Sequence, residues 1–383
     1  MHAGGVEVTD MEKTMMKRII SFMLLFCMLF SAGVCAEAEE PAMTGKVSVI
    51  EKTGHARLDI TVEEFQAAGF ALGDIVHVKA GSFEGDMPFF NGFYVDRGEC
   101  VLWAYPGHEH ITVCLNYGNF AETAGVEVGD EVTITLKEKA GALETQQIRG
   151  LTYINNREDY DSDAIFANFR EVRTSGIGEG KLYRSASPVN NKFGRAAVTN
   201  RLMEEAGIRA VMNMADTDDN ILAYAGQEGF ASDYYMELYN SGHVIALNMK
   251  VDFASDEFAG QMVKGLRFLA GQEPPYLVHC TEGKDRTGFG VMLLEALMGA
   301  SEEEIVTDYL TSHMNYYHLD PDRDAELLEK IADRNVRDML RMMAGLEKGA
   351  DMTGVDLAAA AENYLTTHGM GADALRMLKE KLG

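Results

Sequence analysis

The chain has 383 residues, 46% hydrophobic and 25% charged, with 7 prolines, which excludes wholesale disorder and collagen-like or proline-rich chains. With 34 Lys+Arg against 60 Asp+Glu the net charge is −26, a balance that repels nucleic acid and anionic lipid at long range. An anionic substrate therefore has to be captured by a local basic pocket and not by the global field.

Lys13, Lys17 and Arg18 precede a charge-free run from Ile19 to Val34, and Cys35-Ala36 supply small residues before Glu37. A basic segment, a short apolar run and a small-residue cleavage site predict a secretory signal over residues 1–36, cut near Ala36. The product is an exported protein with no stable membrane span, because the run is shorter than the roughly 20 residues a spanning helix needs. An uncleaved anchor is the alternative. The opening MHAGGVEVTD fits no standard signal, so Met11 or Met15 is read as the natural start.

Residues 37–45, EAEEPAMTG, read as a linker. From 46 to 139 short β-type runs alternate with glycine turns: VSVI, IVHVK, GFYV, CVLWAY, ITVCL and EVTITL. GFALGDIVHV (69–78) and GVEVGDEVTI (125–134) echo each other and suggest a small all-β barrel with internal symmetry. CVLWAY and ITVCLNY flank Pro106-Gly107-His108-Glu109 as a hairpin that brings Cys100 and Cys114 close. They either pair, if the compartment is oxidising, or serve as buried hydrophobes. His108 and His110 beside Glu109 read as a polar turn and not as metal ligands.

After a glycine-marked junction (140–150) the pattern becomes α/β, and residues 150–383 read as one further domain. Segments 208–215, 244–250 and 275–280 are apolar, as buried parallel strands require. Helical patterns over 193–206, 219–228 and 256–270 separate them, predicting a central parallel-rich sheet flanked by helices. Beyond Thr287 the chain reads as helical almost to its end. The strand PYLVHC runs into HCTEGKDRTG (279–288), which opens a helix. Amides of Thr281, Glu282, Gly283 and Lys284 would curl into an anion-binding nest above Cys280, with the helix N-terminus behind them. Arg286 offers a planar fork to two phosphate oxygens. The same positive field favours the Cys280 thiolate as a nucleophile.

HCTEGKDRTG resembles the HCxxGxxR[ST]G signature of the cysteine-based protein tyrosine phosphatase superfamily, and its GKDRTG ending is similar to the bacterial tyrosine and lipid phosphatase branch that includes the secreted phosphatase B of mycobacteria. Asn168-Phe169-Arg170-Glu171-Val172, Leu182-Tyr183-Arg184-Ser185 and the closing DLAAAAENYLTTHGMGADALRMLKEKLG resemble the same branch, so the likeness covers about 160–383. It implies Cys280 as nucleophile, Arg286 as phosphate clamp, Lys284 as a second positive charge, Thr287 as hydroxyl donor to the sulfur, and His279 as a support behind the loop. The general acid is expected at Asp252, where relatives carry an aromatic–proline pair before the aspartate and this chain has Lys250-Val251. Asp285 and then Asp256, the latter read as a helix N-cap, are the rivals. Arg170 and Arg184 read as structural ion-pair partners.

The expected activity is phosphomonoester hydrolysis through a phosphocysteine, without metal or other cofactor. The leading substrate is a phosphotyrosine protein, and a phosphoinositide or inositol polyphosphate is the alternative. A pseudophosphatase that only binds phosphate ligands is the competing class.

Overall fold

The structure, a computed structural model, describes residues 41–383. The expected signal segment and the first residues of the expected linker lie outside the described residues. The chain divides into two units after Leu143.

In the first unit seven strands close a barrel: β1 (Ala42–Ile50), β2 (Ala56–Thr61), β3 (Ile75–Ala80), β4 (Phe83–Phe90), β5 (Cys100–Trp103), β6 (His110–Leu115) and β7 (Glu131–Glu138), in spatial order β1-β2-β6-β5-β4-β3-β7 with β7 returning to β1. Alternation drives the closure. Val76, Val78, Val132 and Ile134 point into a core with Phe65, Phe70 and Phe89, where Phe65 stacks on Phe70 at 4.0 Å. The two echoing segments become neighbours, with Val78 opposite Ile134. In each, the aspartate turns back onto an amide three residues earlier, Asp74 accepting from Ala71 (2.7 Å) and Asp130 from Glu127 (2.8 Å). Gly73 and Gly129 stand before them at φ +93° and +100°, a region open chiefly to glycine.

Two expectations are corrected here. Residues 42–45 are strand and not linker, since Ala42–Lys46 pair with Thr135–Glu131; without that pairing β7 would present an open edge. Cys100 and Cys114 cannot pair. Cys100 lies opposite Leu115, and Cys114 opposite Val101, so the two thiols leave opposite faces of the hairpin. Cys100 packs on the barrel core and Cys114 on Phe90 and Val101 outside it. Both are free thiols whose pKa burial raises.

The second unit holds a five-stranded sheet of β8 (Arg170–Glu171), β9 (Leu182–Ser185), β10 (Ala210–Asn213), β11 (Val244–Ala246) and β12 (Tyr276–His279), ordered β11-β10-β12-β9-β8. All pairs are parallel except β8–β9. The expected strand 244–250 stops early because Asn248 turns to φ +45°. Phe258, Met262, Leu266 and Leu269 form the buried stripe of helix 256–271. Helix 285–298 is buried almost all round, the state expected of a helix apolar on every side. The glycine-marked junction holds a helix over Leu143–Arg149, so this unit starts ahead of residue 150. Among the described residues no helix is long and apolar enough to cross a membrane.

Candidate active site

β12 is buried along its whole length between β10 and β9 and ends at His279, directly before Cys280, itself 3% exposed. Residues 281–284 form a loop, and helix 285–298 starts directly after it. Gly283 takes φ +68°, and a Cβ there would lie 2.0 Å from the Ser185 carbonyl oxygen, so only glycine fits.

The loop's carbonyls are held on its outside. The Ser187 amide donates to Thr281 O (3.1 Å), and Tyr316 Oη and Asn168 Nδ2 donate to Glu282 O. Arg184 Nη2 (2.9 Å) and Asn168 Nδ2 (3.2 Å) donate to Gly283 O. Within a trans peptide the C=O and the following N–H point oppositely. Anchoring three carbonyls outward therefore turns the amides of Glu282, Gly283 and Lys284 toward the loop interior, forming an anion nest.

Arg286 Nη1 donates to Met249 O (2.8 Å) and Met214 O (3.4 Å), and Nη2 to Thr281 Oγ1 (3.2 Å). Its Nε is buried and meets no protein acceptor among the described residues. The Thr287 hydroxyl is likewise buried without a protein partner. Burial pushes the His279 imidazole down to about 4, so it is neutral at pH 7. Its Nδ1 lies 3.1 Å from Cys280 O and must carry the hydrogen, since a carbonyl only accepts.

Behind the loop lies a buried charge cluster. Arg170 Nε donates to Asp308 (2.8 Å), Arg184 Nη1 bonds the same carboxylate, and both guanidiniums reach Ser312 Oγ. Against the burial that opposes its charge, the two arginines keep the Asp308 carboxyl below its ordinary range. Burial, then the Asp308 charge, raises Glu295 well above it. Arg184 thus joins the ion pair to the loop carbonyl. Arg184→Met should cost about 3–5 kcal/mol, the usual penalty for breaking a buried pair. Urea unfolding measures it; a loss below about 1 kcal/mol would show that the cluster does not carry the fold.

The Lys284 ammonium lies over the Tyr153 and Tyr317 rings (5.5 and 5.7 Å) and 3.2 Å from Asp285. Burial works against its charge, but Asp285 together with Tyr317, Tyr309 and Glu282 more than offsets this, and its pKa is raised. Tyr153 Oη also donates to Glu282 Oε2 (2.7 Å). Asp252 is exposed on the turn after β11 and lines, with Lys284 and Asp285, a cavity of 890 Å³. Asp256 is not the helix cap. Ser255 fills that position, accepting from the Phe258 amide (3.2 Å), and Asp256 follows as an exposed first-turn residue.

Sequence reasoning missed Tyr153, Tyr316 and Asp216. Asp216 is 3% exposed and bonded by Asn213 Nδ2 (3.1 Å). Burial raises its pKa, against hydrogen bonds from Asn213 and Tyr224 and the nearby Arg286 charge. Its position just past the end of β10, the strand beside the cysteine strand, was the available signal.

Residues 166–383 match the tyrosine phosphatase family. The chain belongs to that family. A 37-residue stretch is 51% identical to a protein of Cupriavidus necator named as a tyrosine-protein phosphatase, covering 10% of this chain and only 14% of that relative's length. Among solved structures the chain is similar to TpbA of P. aeruginosa (21% identity, 51% of this chain, 92% of that one, TM-score 0.29). It is also similar to the PP-IP phosphatase SIW14 of S. cerevisiae (19%, 43% and 91%, TM-score 0.26). The family match leaves residues 1–165 uncovered.

Proposed function

We propose that this phosphatase hydrolyses phosphomonoesters in two steps at Cys280, acting on phosphotyrosine proteins as an exported enzyme of the bacterial tyrosine and lipid phosphatase branch. The observation that carries the reading is the ring of outward-anchored carbonyls around a loop that begins at Cys280, with the Arg286 Nε–H buried beside it. In the first step the sulfur attacks phosphorus and the ester oxygen leaves with a proton. The nest amides of Glu282, Gly283 and Lys284 and the Arg286 fork take the charge of the equatorial oxygens. In the second step water attacks the phosphocysteine, the sulfur leaves, and the Thr287 hydroxyl donates to it.

Asp252 is the proposed proton donor, because it is exposed at the cavity while Asp285 is engaged by Lys284. General acids contribute about 10²–10⁴-fold, and the need grows with leaving-group basicity. Asp252→Asn should therefore slow alkyl phosphates about 100-fold or more while hardly affecting activated aryl phosphates. The same pattern in Asp285→Asn, with Asp252→Asn unaffected, would move the assignment to Asp285.

The substrate reading is tested by a panel of phosphotyrosine peptides, phosphoinositides and inositol hexakisphosphate, run with wild type and Cys280→Ser. Preference for the inositol compounds would replace the protein-phosphatase reading, and binding without turnover in wild type would make the protein a pseudophosphatase.

A further inference from the structure

The family match begins at residue 166, yet the cavity beside the cysteine loop takes part of its wall from earlier residues, among them Arg149, Leu151 and Tyr153. Arg149 lies in the glycine-marked junction (140–150), and Leu151 and Tyr153 at the start of the domain expected from residue 150. Tyr153 reaches the loop directly, through its hydroxyl on Glu282 and its ring over Lys284.

The cations of this cavity differ in how they are engaged. Lys284 is paired with Asp285 at 3.2 Å, Lys348 with Asp338 at 3.4 Å, and Arg334 with Glu144. Arg149, exposed in the last turn of helix 143–149, has no carboxylate partner among the described residues. In a chain of net charge −26, an arginine that lines a cavity and is matched to no acid of its own protein is available to an acid of another molecule. The lining of the same cavity also includes the rings of Tyr153, Tyr309 and Tyr317, an aromatic part of its wall. Such a wall suits a flat ring. A polyhydroxylated, multiply charged inositol ring would ask for more unpaired cations than this one.

We propose that the 149–153 segment is a specificity element of this phosphatase, and that Arg149 binds an acidic side chain flanking the phosphotyrosine of a peptide substrate. The proposal rests on the phosphotyrosine reading of the active site. It assigns Tyr153 to the aromatic ring of the substrate and Arg149 to the second negative charge.

The test compares two phosphotyrosine peptides, one flanked by Asp and Glu and one with those residues replaced by Asn and Gln. The readout is the ratio of their kcat/KM values, with p-nitrophenyl phosphate hydrolysis confirming that the wild-type chemistry runs. Wild type should favour the acidic peptide. Arg149→Ala should reduce the ratio about fivefold, the size of an exposed ion pair, Arg149→Glu should push it further, and Arg149→Lys should restore part of it. An unchanged ratio in Arg149→Glu overturns the proposal while leaving the phosphotyrosine reading intact. If wild type hydrolyses p-nitrophenyl phosphate but neither peptide, both fall.

Discussion

Cys280→Ser is expected to abolish turnover while phosphate esters still bind. The side chains differ little in volume, and the nest amides, the Arg286 fork and the buried support of His279 are untouched by the exchange. What changes is the nucleophile. Sulfur is the stronger nucleophile toward phosphorus, whereas an alcohol there has no neighbouring base to take its proton. Calorimetric binding of a phosphate ester to the variant, together with steady-state rates, checks both halves. A rate within about tenfold of wild type would exclude covalent catalysis by the sulfur, because positive surroundings alone do not make a serine hydroxyl nucleophilic.

Arg286→Lys is expected to lower kcat by about 10³-fold, the scale of removing a principal donor to the developing charge. The guanidinium serves two sets of partners at once. Nη1 donates to Met249 O and Met214 O and Nη2 to Thr281 Oγ1, bonds that fix the plane, while Nε meets no protein acceptor among the described residues. An ammonium on a flexible stem cannot hold those acceptors and present a planar fork together. The split between kcat and KM identifies the defect, since loss of transition-state stabilisation falls on kcat. Near-normal kcat would place the charge stabilisation on Lys284 or on the loop amides.

Much of this was legible in the sequence because the decisive residues are consecutive. Cys280, Gly283 and Arg286 stand within seven positions at a strand-to-helix junction, and the two Gly-Asp segments of the barrel repeat a local turn. The errors have a common physical origin in long-range pairing. Thr44 and Gly45 are strand only because β7, about 90 residues on, lies beside them. The two hairpin cysteines are separated by a register that differs by one residue from the one that would join them, and one residue reverses the face. Tyr153, Asn168 and Tyr316 come to the loop from sequence separations of 129, 114 and 34 residues. Tyr153 and Tyr316 look ordinary in their own segments, and their roles exist only through the carboxylate or carbonyl they meet.

The bond from Arg286 Nη1 to the Met249 carbonyl bears on how the site opens. Met249 is buried and stands three residues ahead of Asp252, while Lys250, Val251, Asp252 and Ala254 are exposed. Arg286, the proposed phosphate clamp, therefore acts as a latch on the base of the segment that carries the proposed acid. The chain up to residue 249 cannot swing without stripping a charged, largely buried donor of its acceptor, at a cost of roughly 1–3 kcal/mol or more. Travel of the Asp252 carboxylate is thus confined to a tether of a few residues beyond the latch. A closing movement of the proposed acid would therefore be a short pivot at 250–254 that leaves the Arg286–Met249 bond in place.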